Sequence, residues 1–202
     1  MGESGVGVVV AAVVLAAGVV GAEAVTRRWD LAETTGRKLM HIVSGLLVLV
    51  LVPLLAVRTF ALLGAVFLVL MGGTRPLRLQ ALGALRDRSW GEVAFPAGIA
   101  AASVLAVDAR ALAGAVAVLT AADPAAWWVG RRVRSPQAPW GKSVAGSVAF
   151  LGVATVVLWW FVPLPTAALV AAAATVAEAV GVRGLDNLLI PTVTAAALRW
   201  CV

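Results

Sequence analysis

The stretch TAADPAAWWVGRRVRSPQAPWGKSVAGSVAF, residues 120–150, decides both the fold class and the chemistry of this chain. An apolar segment that contains Asp123 is followed by a polar loop, and a second apolar segment begins after Ser143. The cations of this region are Arg131, Arg132, Arg134 and Lys142. An acid, four cations and the N-terminus of a helix rich in small residues predict a site for a phosphorylated ligand at a membrane surface.

Composition indicates a membrane protein. Of the 202 residues, 62% are hydrophobic and 13% are charged, and the mean hydropathy is +1.00. Soluble domains carry about 25% charged residues, so we expect a polytopic membrane protein with a single domain over residues 1–202. The formal net charge of +6 comes from short clusters between apolar segments. This pattern favours phosphate groups and membrane lipid headgroups as partners and argues against nucleic acid.

Apolar segments with the length of transmembrane helices alternate with short polar links. The sequence predicts an all-α transmembrane helix bundle of seven or eight spans, with eight candidates at residues 5–25, 39–57, 60–73, 93–107, 111–129, 144–162, 166–182 and 188–202. The polar residues 74–92 carry leucines at helical spacing, at Leu77, Leu79, Leu82 and Leu85. This spacing predicts an amphipathic helix on the membrane surface.

The distribution of lysine and arginine predicts the orientation of the bundle. If eight spans alternate in direction, 13 of the 16 Lys and Arg residues fall in the loops that follow odd-numbered spans. Such loops face the cytoplasm, so both termini are expected outside. We therefore expect a multi-pass protein of a prokaryotic-type cell membrane, with its site facing the cytosol. The sequence leaves an oligomer open.

Polar side chains inside apolar spans are costly and mark candidate functional sites. In this chain they fall near the predicted cytoplasmic ends of the spans, at Lys38, His41, Ser89, Glu92, Asp123, Lys142, Ser143, Glu178, Asp186 and Asn187. Their common depth predicts one cytosol-facing cavity. The alternative is a set of unrelated interfacial charges, which are common at membrane surfaces.

Several of these residues also have a purely structural explanation. Arg37, Lys38 and His41 can share one helix face. The structural alternative for Asp123 is an ion pair with Lys142 or Arg131. Helix caps or salt bridges would explain the carboxylates of Glu178 and Asp186.

Familiar soluble motifs are absent from the sequence. Residues 141–143 read GKS, but Pro136 occupies the position of the first P-loop glycine and the flanking segments are apolar. A single cysteine, Cys201, and a single histidine, His41, exclude cysteine-based zinc sites and multi-histidine metal centres.

Four stretches of the chain resemble the integral-membrane polyprenol kinase family, which includes dolichol kinases, phytol kinases and a CTP-dependent diacylglycerol kinase. The stretches are RKLMHIVSG from Arg37, GEVAFPAG from Gly91, DPAAWWVGRR and GKSVAGSVAF from Asp123, and VAEAVGVRGLDNLLIP from Val176. The resemblance implies CTP as the phosphate donor, Mg²⁺ or another divalent cation as the cofactor, and a membrane-dissolved alcohol as the acceptor. The loop after Gly130 carries less glycine than is usual in the family.

The residues suit phosphoryl transfer, which needs charge neutralisation and alignment more than a protein nucleophile. We expect Asp123, Asp186 and Asn187 to bind the metal. Asp123 or Glu178 is expected to accept the proton of the acceptor hydroxyl. The residues expected to bind the nucleotide or its phosphates are Arg37, Lys38, His41, Arg131, Arg132, Lys142, Ser143 and Ser147. Glu92 and Arg183 are expected to belong to the same site.

Two other functions fit the sequence less well. A cytidylyltransferase that makes a CDP-lipid would share the membrane, the nucleotide and the metal, but the RGLDN link at residues 183–187 lacks the longer acidic and glycine-rich signature expected of such enzymes. A small transporter or scaffold would place polar residues through the whole membrane depth, whereas here they lie near one surface.

Overall fold

The computed structural model describes residues 5–74, 89–138 and 141–201. Within these ranges the protein is an all-α assembly of eight helices. They are α1 (Gly5–Arg28), α2 (Glu33–Leu51), α3 (Thr59–Thr74), α4 (Gly91–Leu105), α5 (Ala109–Arg132), α6 (Val144–Trp159), α7 (Leu164–Val180) and α8 (Asp186–Cys201). Three helices, α1, α2 and α5, are long and apolar enough to cross a membrane, and α3, α4, α6 and α7 are shorter apolar helices.

Each predicted apolar segment corresponds to one helix, but some helices continue into polar sequence. α2 begins at Glu33 rather than near residue 39, so Lys38 lies inside the helix. α5 continues past Asp123 to Arg132, which shortens the loop expected before α6. Polar residues in these added turns bond other helices: Lys38 of α2 bonds Asp123, and Arg131 of α5 bonds Thr34. The predicted amphipathic helix at residues 77–85 lies outside the described residues.

The centre of the bundle is α5. Its side chains at Leu112, Val116 and Leu119 are fully buried, and α5 packs against α2, α6 and α8. Phe150 and Leu158 of α6 complete this core. Because α5 is surrounded by helices, Asp123 on its C-terminal half lies in the interior of the protein.

Close helix approaches at the polar end of the bundle fix the neighbouring elements. A Cβ atom on Gly146 of α6 would lie 2.9 Å from the carbonyl oxygen of Ala126 on α5. A Cβ atom on Gly98 of α4 would collide with the backbone of α8 at Asn187. The absence of a side chain at these two glycines permits close helix approach, and these contacts bring the first turns of α6 and α8 towards Asp123.

Candidate functional site

One cavity of about 760 Å³ contains most of the residues that the sequence marked. Its polar lining comes from the N-terminal part of α2, the N-terminus of α4, the C-terminal half of α5, the loop before α6, the C-terminal end of α7, the α7–α8 link and the first turn of α8. The predicted residues that line it are Arg37, Lys38, His41, Glu92, Asp123, Arg131, Lys142, Ser143, Glu178, Arg183, Asp186 and Asn187. Arg132 and Ser147 do not line it. Charges from distant parts of the chain therefore meet in one place.

The first ion pair of the cavity joins α2 to α5. The Lys38 ammonium bonds the carboxylate of Asp123, which is buried. His41 donates from Nε2 to the carbonyl oxygen of Leu119 at 2.9 Å, and its Nδ1 lies 3.8 Å from the Asp123 carboxylate. The imidazole also packs edge-on against Phe95, with ring centroids 5.2 Å apart. Asp123 is thus held in a defined orientation facing the cavity.

The second ion-pair cluster joins the loop before α6 to α7 and α8. Lys142 Nζ lies 2.7 Å from Glu178 Oε1 and 2.8 Å from Asp186 Oδ2. Ser147 donates from Oγ to the other oxygen of Glu178 at 3.1 Å, so it supports the cluster from outside the cavity. Residues of both clusters line the same cavity.

These pairings differ from the structural alternative for Asp123, an ion pair with Lys142 or Arg131. Asp123 pairs with Lys38, and Lys142 pairs with two carboxylates on other helices. Burial disfavours the Lys142 ammonium, but the charges of Asp186 and Glu178 outweigh that effect and raise the pKa of Lys142. Both lysines of the chain therefore serve as counterions at this cavity.

The loop from residue 133 to residue 143 positions Lys142. Gly141 adopts a φ of +85°, a conformation that glycine tolerates well, and the Ala138 amide donates to the Lys142 carbonyl oxygen at 2.8 Å. Ser143 caps α6 by accepting from the Gly146 amide. The amides of residues 144 and 145 bond Pro136 and Ser135. These three amides are occupied, so phosphate binding at this terminus would depend on Ser143 and the Lys142 side chain.

Ser89 lines the cavity, as the common depth of the polar residues predicted, although its sequence context indicated no specific role. Its hydroxyl accepts a hydrogen bond from Arg37 and donates to the carbonyl oxygen of Arg183 at 3.2 Å. Nearby, Asn187 donates from Nδ2 to the carbonyl oxygen of Gly91 at 3.1 Å. These bonds tie α2, α4 and the α7–α8 link together. Asn187 therefore has a positioning role in this structure.

The neighbouring arginines at the end of α5 have different surroundings. Arg131 lines the cavity, donates to Thr34 Oγ1 at 3.3 Å and lies over the Trp127 ring. Arg132 lies over Trp128 instead and donates to the Trp128 carbonyl oxygen. Successive residues of a helix point about 100° apart, so only one of the two can face the cavity.

Further lining residues extend the polar face of α2. Thr34 and Ser44 line the cavity together with His41, with Thr34 one turn before Lys38 and Ser44 three residues after His41. This is the spacing of one helix face. Extending that spacing in both directions from His41 would have identified Thr34 and Ser44 in the sequence.

The carboxylates fit a metal ion only if substrate supplies further ligands. The described residues contain no group of three or more His, Cys, Asp or Glu side chains placed to bind a metal. Mg²⁺ that binds substrate phosphates needs only one or two protein carboxylates. Asp123 and Asp186 face the cavity and provide that number, although each bonds a lysine in this structure.

Comparisons with protein-family models, with curated proteins and with solved structures found no match for this chain. The function of the protein therefore has to be inferred from the cavity and from the charges that line it.

Proposed function

We propose that the protein is an integral-membrane kinase that transfers the γ-phosphate of CTP, or of another nucleoside triphosphate, to the hydroxyl of a membrane-embedded lipid alcohol. The observation that carries this proposal is the two-part lining of the cavity. One end is charged, and the other is lined by apolar residues such as Val48, Leu63 and Phe67. An amphipathic acceptor needs both surfaces in one site.

The cations of the cavity suit a triphosphate. Lys38, Lys142, Arg37, Arg131 and Arg183 line it, and charge-assisted hydrogen bonds from such groups are the strong contacts to phosphate. In this structure both lysines bond carboxylates. Nucleotide binding would exchange these partners, with the ammonium groups passing to phosphate oxygens.

Asp123 is the best-placed base. It is buried, it faces the cavity, and transfer of Lys38 to phosphate oxygens would free its carboxylate to accept a proton. In the proposed reaction the acceptor oxygen forms a bond to the γ-phosphorus while its proton passes to Asp123. The bond from the γ-phosphorus to the β–γ bridging oxygen breaks, and the nucleoside diphosphate leaves with that electron pair.

A divalent cation fits the same region, with Asp123 and Asp186 as the residues that would bind it and Asn187 beside them. When bound, Mg²⁺ would neutralise negative charge on the phosphates. Glu178 is bonded to Lys142 and Ser147, so its role in the proposal is to orient the lysine.

The test is a product analysis with purified protein in lipid nanodiscs. A panel of geranylgeraniol, phytol, a long polyprenol and diacylglycerol is incubated with each nucleoside triphosphate and Mg²⁺. Mass spectrometry is expected to find a lipid monophosphate together with the nucleoside diphosphate. A CDP-lipid with pyrophosphate would instead identify a cytidylyltransferase, and no phosphorylated lipid with any pair would contradict the proposal.

The orientation in the membrane is part of the same proposal: multi-pass, with both termini outside and the charged cavity facing the cytosol. Cys201 is the chain's only cysteine and is exposed at the end of α8. We expect a membrane-impermeant maleimide to label it in intact cells. In the Cys201→Ser background, a cysteine at the exposed Arg134 should react only after permeabilisation. Labelling of Arg134→Cys in intact cells would contradict this orientation.

A further inference from the structure

The apolar part of the cavity continues deep into the bundle. We define the apolar limb by Leu15, Val48, Phe60, Leu63, Phe67 and Ile99, which all line the cavity. Val48 lies ten residues beyond Lys38 on α2, a distance of about 15 Å at the rise of an α-helix. This is roughly half of the ~30 Å hydrocarbon core of a bilayer. The limb therefore reaches about one leaflet deep from the charged end.

The limb exists because α2 and α3 diverge after the short link that joins them. α2 packs mainly on α1 and α5, whereas α3 packs on α4 and only loosely on α1. At the end of the limb nearest the link, the side chains of Leu15, Val48 and Phe60 are buried. The limb therefore ends blind against these three side chains.

The chemistry of the limb selects its occupant. Its six defining residues carry no hydrogen-bonding side chain, and an apolar cavity stays dry and binds apolar molecules. At its open end the limb continues into the charged region at His41 and Asp123. A ligand that spans both parts has a polar head and one hydrocarbon chain. A single chain also matches the narrow limb, whose six defining side chains are all buried.

We propose that the apolar limb holds the single hydrocarbon chain of the acceptor alcohol, and that Leu15, Val48 and Phe60 limit the chain length that fits. This inference rests on the proposed kinase function for the identity of the head group. Chains of about one leaflet fit inside the limb. Longer chains have to leave it sideways between α1 and α3, where the helices touch only loosely.

The position of the tail can be tested without nucleotide. Hexadecanol with a terminal diazirine is equilibrated with the protein in nanodiscs, irradiated, and the labelled peptides are identified by mass spectrometry. The label is expected at the blind end, on Leu15, Val48 or Phe60. Labelling confined to lipid-facing residues such as Leu62, which is 58% exposed, would overturn the proposal.

A matched pair of variants tests the length limit. Val48→Phe fills the blind end, so the diazirine label should move towards Ser44. The selectivity for short over long alcohols should rise about tenfold. Val50→Phe on the same helix points outward, at 64% exposure, and should change neither property. An unchanged label in Val48→Phe would overturn the length limit.

The two proposals fail separately. Labelling at the blind end without any phosphorylated lipid would support the tail site and contradict the kinase function. A lipid monophosphate together with labels only on the outer surface of the bundle would support the kinase function and contradict the tail site.

Discussion

Asp123→Asn is expected to reduce the rate of lipid monophosphate formation by roughly 10³-fold, the scale of a lost general base. Asparagine keeps the shape of the side chain but cannot accept the hydroxyl proton. It also leaves the Lys38 ammonium without the carboxylate that it bonds in the structure. The measurement is single-turnover phosphoryl transfer in nanodiscs at saturating nucleotide and alcohol, with thermal unfolding followed in parallel.

The matched control for this variant lies on the same helix. Asp108 caps the other end of α5, where its side chain accepts a hydrogen bond from the Ala111 amide. Asparagine is an equally good N-cap residue, so Asp108→Asn should retain both activity and stability. A rate near that of the wild type in a folded Asp123→Asn variant would remove Asp123 from the mechanism.

Lys142→Met is expected to abolish measurable phosphoryl transfer and to lower the free energy of unfolding by about 3 kcal/mol. The loss of stability follows because Glu178 and Asp186 would face each other without the ammonium that lies 2.7 and 2.8 Å from them. Removing one partner of a buried ion pair costs about 3–5 kcal/mol. Denaturant or thermal unfolding in detergent measures this loss, and nucleotide-dependent thermal stabilisation measures binding.

A double variant separates the two effects of Lys142. Lys142→Met with Glu178→Gln removes one of the opposed charges and should recover much of the lost stability, yet remain inactive. Arg134→Met removes a cation from the same loop, but this exposed residue does not line the cavity, so both properties should be unchanged. If the double variant regained activity together with stability, Lys142 would be a purely structural residue.

Much of the fold follows from local sequence. Apolar segments of roughly helical length predicted all eight helices of the described residues. Such predictions succeed because burial and helix formation depend mostly on residues close in the chain. The ends of α2 and α5 were less predictable. Residues such as Glu33 and Arg132 are polar enough for a loop, and their helical state depends on the surroundings of the whole bundle.

The sequence was sufficient to predict which residues meet in the candidate site, but not which of them form ion pairs. Asp123 and Lys142 were identified because polar side chains are costly within apolar spans and because these residues lie at a common depth. Which cation meets Asp123 depends on how α2 rotates against α5, a contact in which Gly45 lies directly against Thr120. No local pattern specifies that rotation, so Lys38 was not recognised as the partner.

The same long-range pairing has a consequence for biosynthesis. Lys38 precedes Asp123 by 85 positions, and translation proceeds at about 5–20 residues per second. The nascent chain therefore carries the Lys38 ammonium for roughly 4–17 s before the Asp123 carboxylate is made. In the proposed membrane setting, the amino-terminal helices would keep that charge at the lipid–water boundary during this interval. The Lys38–Asp123 pair can form only after α5 has been synthesised.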